Sequence, residues 1–207
     1  MKKFIPLSLF AVCFALVEAA VVVYLRQLYY PEGFSFPLKV LPHSTLWIEM
    51  LREAATLVML FSAGALAGRG AWQKFAFFMY AFGLWDIFYY VWLKVFLNWP
   101  EGLLTADILF LLPVAWWGPV LAPVIVALSL CISAVVIVHL DERGHLFKLK
   151  KVDVAWVAFG ALIILYTFMA DYKILEAGEN PPPYRWGFFV LGEAIGIIAF
   201  VKMLLRK

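Results

Sequence analysis

Five stretches of the chain, at about 4–26, 45–67, 73–97, 152–171 and 185–205, are each apolar for roughly the 20 residues a helix needs to cross about 30 Å of hydrocarbon. No soluble fold hides five such runs in a chain of 207 residues that is 65% hydrophobic and only 15% charged. The mean hydropathy of +0.91 agrees. Lipid is the solvent that fits, and the 18% aromatic content suits two aromatic belts at the membrane surfaces. The expected fold class is therefore all-α, an integral membrane bundle forming one transmembrane domain over residues 1–207.

The stretch from Thr105 to Leu140 is too long for one span and carries Pro113, Pro119 and Pro123 around Trp116-Trp117-Gly118. Proline breaks or kinks a helix, so the stretch divides into a short interfacial or re-entrant helix at about 104–113 and a fourth span at about 118–140. That makes six spans. The first follows Met1-Lys2-Lys3 as a signal peptide would, but it runs to about Leu25 and contains Glu18, so a retained helix is expected.

Lysine and arginine in the loops set the expected orientation. With the N-terminus inside, the inner side collects Lys2, Lys3, Arg69, Lys74, Arg143, Lys148, Lys150, Lys151, Lys202, Arg206 and Lys207, eleven in all. The outer side holds five: Arg26, Lys39, Lys94, Lys173 and Arg185. This bias predicts cytoplasmic termini in a bacterial-type inner (plasma) membrane. The outer connections repeat an aromatic-Pro-Glu-Gly turn, at Tyr30-Pro31-Glu32-Gly33 and at Trp99-Pro100-Glu101-Gly102.

Ionisable residues inside spans are costly and by default mark function or a specific buried pair. Here they are Glu18, Glu49, Arg52, Glu53, Asp86 and Glu193. At about 1.5 Å rise per residue, Glu18, Glu53 and Glu193 lie roughly 12 Å below the outer surface, Glu49 roughly 6 Å and Asp86 roughly 16 Å. Glu49 and Glu53 are four apart and share a helix face, with Arg52 placed to pair with Glu49. Asp86 shares its face with Tyr89 and Tyr90, which can donate hydrogen bonds. Alanines beside Glu18, Glu53 and Glu193 would let helices approach closely there. Burying an uncompensated charge costs several kcal/mol, so five carboxylates against one arginine call for bound protons or cations.

The expected site is accordingly a carboxylate cluster near the outer face, formed by Glu18, Glu49, Glu53, Asp86 and Glu193 and supported by Arg52, Tyr89, Tyr90 and His43. Its expected ligand is protons or one or two divalent metal ions, held for binding or transport, since hard cations take oxygen ligands. No haem or nucleotide is expected: His139 and His145 fall on the inner side, away from His43, and no glycine-rich phosphate loop occurs. Nor is there an ExxH pair of the di-iron kind. Cys13 and Cys131 stand alone in apolar runs, as small hydrophobic residues. Two other classes remain open. One is an enzyme using a raised-pKa glutamate on a lipid-like or polyprenyl substrate. The other is an accessory subunit of a homo-oligomer or larger membrane complex in which the acids only tie helices together. Membrane lipids are expected partners and nucleic acid is not, because the net charge of +3 is small and dispersed.

Overall fold

The computed structural model describes residues 2–39, 41–144 and 150–205. Lys148, Arg206, Lys207 and His145, which enter the expectations above, lie outside the described residues. Among the described residues, seven helices and one hairpin follow in the order α1 (Phe4–Tyr29), α2 (His43–Ala67), α3 (Ala71–Leu97), β1 (Ala106–Phe110), β2 (Trp116–Pro119), α4 (Leu121–Glu142), α5 (Lys151–Met169), α6 (Tyr172–Glu176) and α7 (Trp186–Leu204). Six helices are long and apolar enough to cross a membrane, with the short α6 extending the span begun by α5. The expected spans overlap these six helices, their ends differing by a few residues, and the one exception in kind is the element just before the fourth.

That exception is a correction. The stretch read as a Pro-flanked helix at 104–113 is a strand, and it pairs antiparallel with β2. Asp107 faces Gly118 and Ile108 faces Trp117, with an irregularity between Ile108 and Phe110. Trp116 and Trp117 supply aromatic strand residues, whereas Pro113 and Pro119 cannot donate the N–H bonds that a helix interior needs. Irregular backbone at membrane depth is tolerated only when protein buries it or when it lines a cavity. Trp117, Gly118 and Pro119 are buried accordingly. The fourth long helix begins at Leu121, three residues after the expected start of about 118. Pro123 falls in its first turn, where proline removes no intrahelical bond.

Helix α3 is the hub and packs on α1, α2 and α4. Its contacts are close because the facing residues are small: Ala11, Ala15, Ala76, Ala81 and Ala134 are all fully buried. A Cβ on Gly83 would stand 2.5 Å from the Ala127 carbonyl oxygen, and one on Gly64 would stand 2.5 Å from the Phe78 nitrogen. Phe77, Leu60, Ile137 and Val138 fill the space between these contacts. At the end of α3, Asn98 takes a left-handed conformation (φ 53°) and its N–H bonds back to the Lys94 carbonyl.

Helices α5 and α7 form a second unit, crossing at Gly160 and Gly192. They meet the rest of the bundle through α4 and β2, where Phe168 stacks on Trp116 and packs against Phe189. Arg185 closes the pair by binding both oxygens of Asp171, which is 4% exposed and also faces the Trp117 indole N–H.

A side chain at Gly160 would collide with backbone, since a Cβ there lies 2.6 Å from the Gly192 carbonyl oxygen. Gly196, one turn along α7, has nothing within 4 Å of such an atom. In detergent, Gly160→Leu is expected to cost about 1–3 kcal/mol by overpacking, and Gly196→Ala to stay within about 0.5 kcal/mol of wild type. Equal melting midpoints for the two variants would contradict the crossing.

Candidate functional site

A cavity of about 160 Å³ opens between α1, α2, α3 and β1, beneath the 30–41 connection. It lies at the hairpin end of the bundle, opposite the end where Lys3 binds the Ala67 carbonyl. Helical periodicity aims the lining. On α1, Glu18, Val22, Arg26 and Tyr29 recur every three or four residues, as do Glu49, Arg52 and Glu53 on α2. On α3, Trp85 and Asp86 are followed one turn later by Tyr89 and Tyr90. Strand β1 adds Asp107 and the edge from Ile108 to Leu111.

Two arginines organise the acids. Arg52 gives Nε and Nη2 to one oxygen of Glu49 at 2.9 and 2.7 Å, and its Nη1 pairs with Glu18 on α1. Thr56 donates its hydroxyl to the other Glu18 oxygen at 3.1 Å. Arg26 donates from Nη2 to Asp107 Oδ1 at 2.8 Å. Its guanidinium lies 3.7 Å from the Trp99 ring centre and 4.5 Å from that of Phe34, within cation–π range of both. The repeated aromatic-Pro-Glu-Gly turns of the sequence thus deliver Trp99 and Phe34 to the same arginine. Glu53 takes a different partner: both its oxygens accept the Leu111 backbone N–H, at 3.1 and 2.8 Å, just beyond the end of β1. Glu18, Arg26, Glu49, Glu53 and Asp107 are all buried.

Four of the five expected acids meet here: Glu18, Glu49, Glu53 and Asp86, with Arg52, Tyr89 and Tyr90 beside them. Glu193 does not. It stands on α7, facing α4, where the Ser129 hydroxyl reaches it at 3.4 Å, and it has no place in the cavity lining. His43 opens α2 in an exposed position and is also absent from the lining. In exchange the structure recruits Arg26, which sequence reasoning counted as a loop cation, and Asp107, hidden in the stretch taken for an interfacial helix. Arg26 follows Glu18 by eight residues, a little over two helical turns, so its shared face was readable. Asp107 gave no comparable signal, because its depth depends on the hairpin folding inward.

Glu18, Glu49, Glu53, Asp86 and Asp107 against Arg26 and Arg52 make five carboxylates against two guanidiniums, an excess of three. Lys39 adds a cation only at the exposed rim. Among the described residues, no three His, Cys, Asp or Glu side chains are grouped as a metal site. The ion pairs and the Leu111 amide already engage most of the acids. Five polar atoms of the lining residues have no hydrogen-bond partner among the described residues: Asp86 Oδ2, Asp107 Oδ2, Arg26 Nη1, the Trp85 indole Nε1 and Arg52 Nη1, the last of which is ion-paired with Glu18.

No protein-family model, curated protein or solved structure matches the chain. Among the described residues, six helices are long and apolar enough to cross a membrane, which fits a multi-pass membrane protein, and three of them line a charged chamber.

Burial pushes the Asp107 carboxyl up from 3.8 to about 6, with Arg26 pulling the other way. It is therefore ionised and paired at neutral pH. A folded-state value above the unfolded one means that the folded chain holds this proton more tightly, so stability falls as pH rises from about 4 to about 6. Asp107→Asn is expected to remove this component from the pH dependence of the melting midpoint; an unchanged slope would contradict it.

Removing Arg52 strands two buried carboxylates. Arg52→Met is expected to destabilise by about 3–5 kcal/mol, whereas Glu193→Gln, outside the chamber, should leave the midpoint close to wild type. A loss for Arg52→Met no larger than that for Glu193→Gln would refute the shared Arg52 bridge.

Proposed function

We propose that the protein is a membrane binding or transport protein that takes a small cation into the chamber from the outer side of a bacterial-type inner membrane. One observation carries the reading: the chamber's lining holds three more carboxylates than guanidiniums, at a depth where uncompensated charge is costly. Asp86 is the anchor, because Arg52, Arg26 and the Leu111 amide already engage the other four acids. The sidedness rests on the loop charges, eleven on the inner side against five on the outer. The same counts favour cytoplasmic termini.

Engaged acids favour a single monovalent charge at Asp86 over a site built for one or two divalent ions. A metal would have to displace Arg52 or the hairpin amide to gather more than one or two carboxylate ligands. Apolar lining from Val22, Leu25, Leu109 and Phe110 also fits the tail of a lipid-like molecule, which keeps a lipid-modifying enzyme as the second reading.

The test compares wild type, Asp86→Asn and Glu193→Gln in detergent, titrated with ammonium, alkylammonium and divalent metal salts. Melting midpoints and metal content by mass spectrometry are the readouts. A ligand that binds only the folded chain raises its stability by about 2.7 kcal/mol at a hundredfold excess over Kd. Wild type and Glu193→Gln should gain stability with one of these cations, and Asp86→Asn should need at least about tenfold more of it to reach half the effect. Equal responses in Asp86→Asn and wild type would overturn the assignment.

A further inference from the structure

The chamber presents more than a cation site. Arg26, with a side chain 9% exposed, keeps Nη1 without a partner among the described residues, and Trp85, 4% exposed, keeps its indole N–H without one. Buried donors are rarely left unmatched, and an unmatched one costs free energy. Both belong to the wall that also carries the unpartnered Asp86 oxygen. These two donors therefore sit on residues that line one space with two unmatched carboxylate oxygens, Asp86 Oδ2 and Asp107 Oδ2; Asp107 keeps its ion pair with Arg26 through its other oxygen, whereas Asp86 has no ion pair among the described residues. A bare cation would satisfy Asp86 and leave both donors stranded. An anion would satisfy the donors and add to an existing negative excess.

We propose that the ligand is a small zwitterion, with an ammonium group set against Asp86 and an anionic oxygen group set against Arg26 Nη1 and the Trp85 indole. This rests on the cation reading above and deepens it. A net-neutral molecule leaves the carboxylate excess no worse, and its two ends answer Asp86 Oδ2, Arg26 Nη1 and the Trp85 indole together. Size fits as well: holding one water takes about 10–15 Å³, so a cavity of about 160 Å³ admits a molecule of several heavy atoms. Tyr89 and Tyr90, one helical turn from Asp86, line the same space and supply aromatic rings of the kind that attract ammonium groups. The same head chemistry occurs in aminophospholipids and in free solutes.

Phosphoethanolamine, ethanolamine and inorganic phosphate serve as probes for wild type and Trp85→Phe, which keeps an aromatic ring but lacks the indole donor. Titration calorimetry in detergent gives the affinities. A second arm places the protein in nanodiscs with and without phosphatidylethanolamine and repeats the phosphoethanolamine titration. Phosphoethanolamine should bind wild type at least about tenfold more tightly than ethanolamine, and Trp85→Phe should lose most of that preference while still binding ethanolamine. Competition by phosphatidylethanolamine would support a lipid head as the source, and undiminished binding in its presence would support a free solute. Equal binding of ethanolamine and phosphoethanolamine to wild type overturns the zwitterion while leaving the cation reading in place. Binding of inorganic phosphate but not ethanolamine overturns both, as does binding of none of the three.

Discussion

Charge buried in a low-dielectric interior has to be neutralised locally, and that requirement organises the hairpin end of this bundle. Arg52 on α2 holds Glu18 on α1 as well as its own neighbour Glu49, so the ion pairs join two helices that otherwise pack mainly on α3. Arg26 does the same between α1 and β1 through Asp107. Cutting either arginine leaves carboxylates without compensation. The pairs therefore hold the chamber walls together, and the acids that they leave over give the chamber its character.

The hairpin is the second half of this device. An interfacial helix would have satisfied its own backbone and left the space between α1, α2 and α3 open to lipid or water. A two-stranded ribbon has unpaired edge groups, and one of them, the Leu111 N–H, is the partner of Glu53. Glu53 thus caps a strand and does not pair with a cation. On its other side, β2 meets α5 through Trp116, Trp117 and Phe168, so the same hairpin ties the α5–α7 unit to the chamber.

Much of this was legible in the chain. Five apolar helices follow from run length and a sixth from the prolines that divide the stretch 105–140, and the Glu49–Arg52 pair follows from helical spacing. The common depth of Glu18, Glu53 and Asp86 put them within reach of one another, and the fold brings them to one cavity. Depth says nothing about azimuth, however, which is why Glu193 was expected there and instead faces Ser129. His43 failed for a related reason, since it starts α2 on an exposed side. The hairpin was hidden because short apolar runs between prolines read equally well as strand or interfacial helix. With it went Asp107, and with Asp107 the reason that Arg26 turns inward. Three-dimensional closure, not composition, supplies that pair.

The most direct test of this account is a double-mutant cycle on the pair that joins α1 to the hairpin, using Arg26→Met, Asp107→Asn and the combined variant at neutral pH in detergent. Contacting buried partners are expected to show a coupling of at least about 1 kcal/mol, with the double variant more stable than the sum of the single losses implies. Losses that add to within about 0.3–0.5 kcal/mol would mean that Arg26 and Asp107 do not meet, and that the chamber is not closed as described.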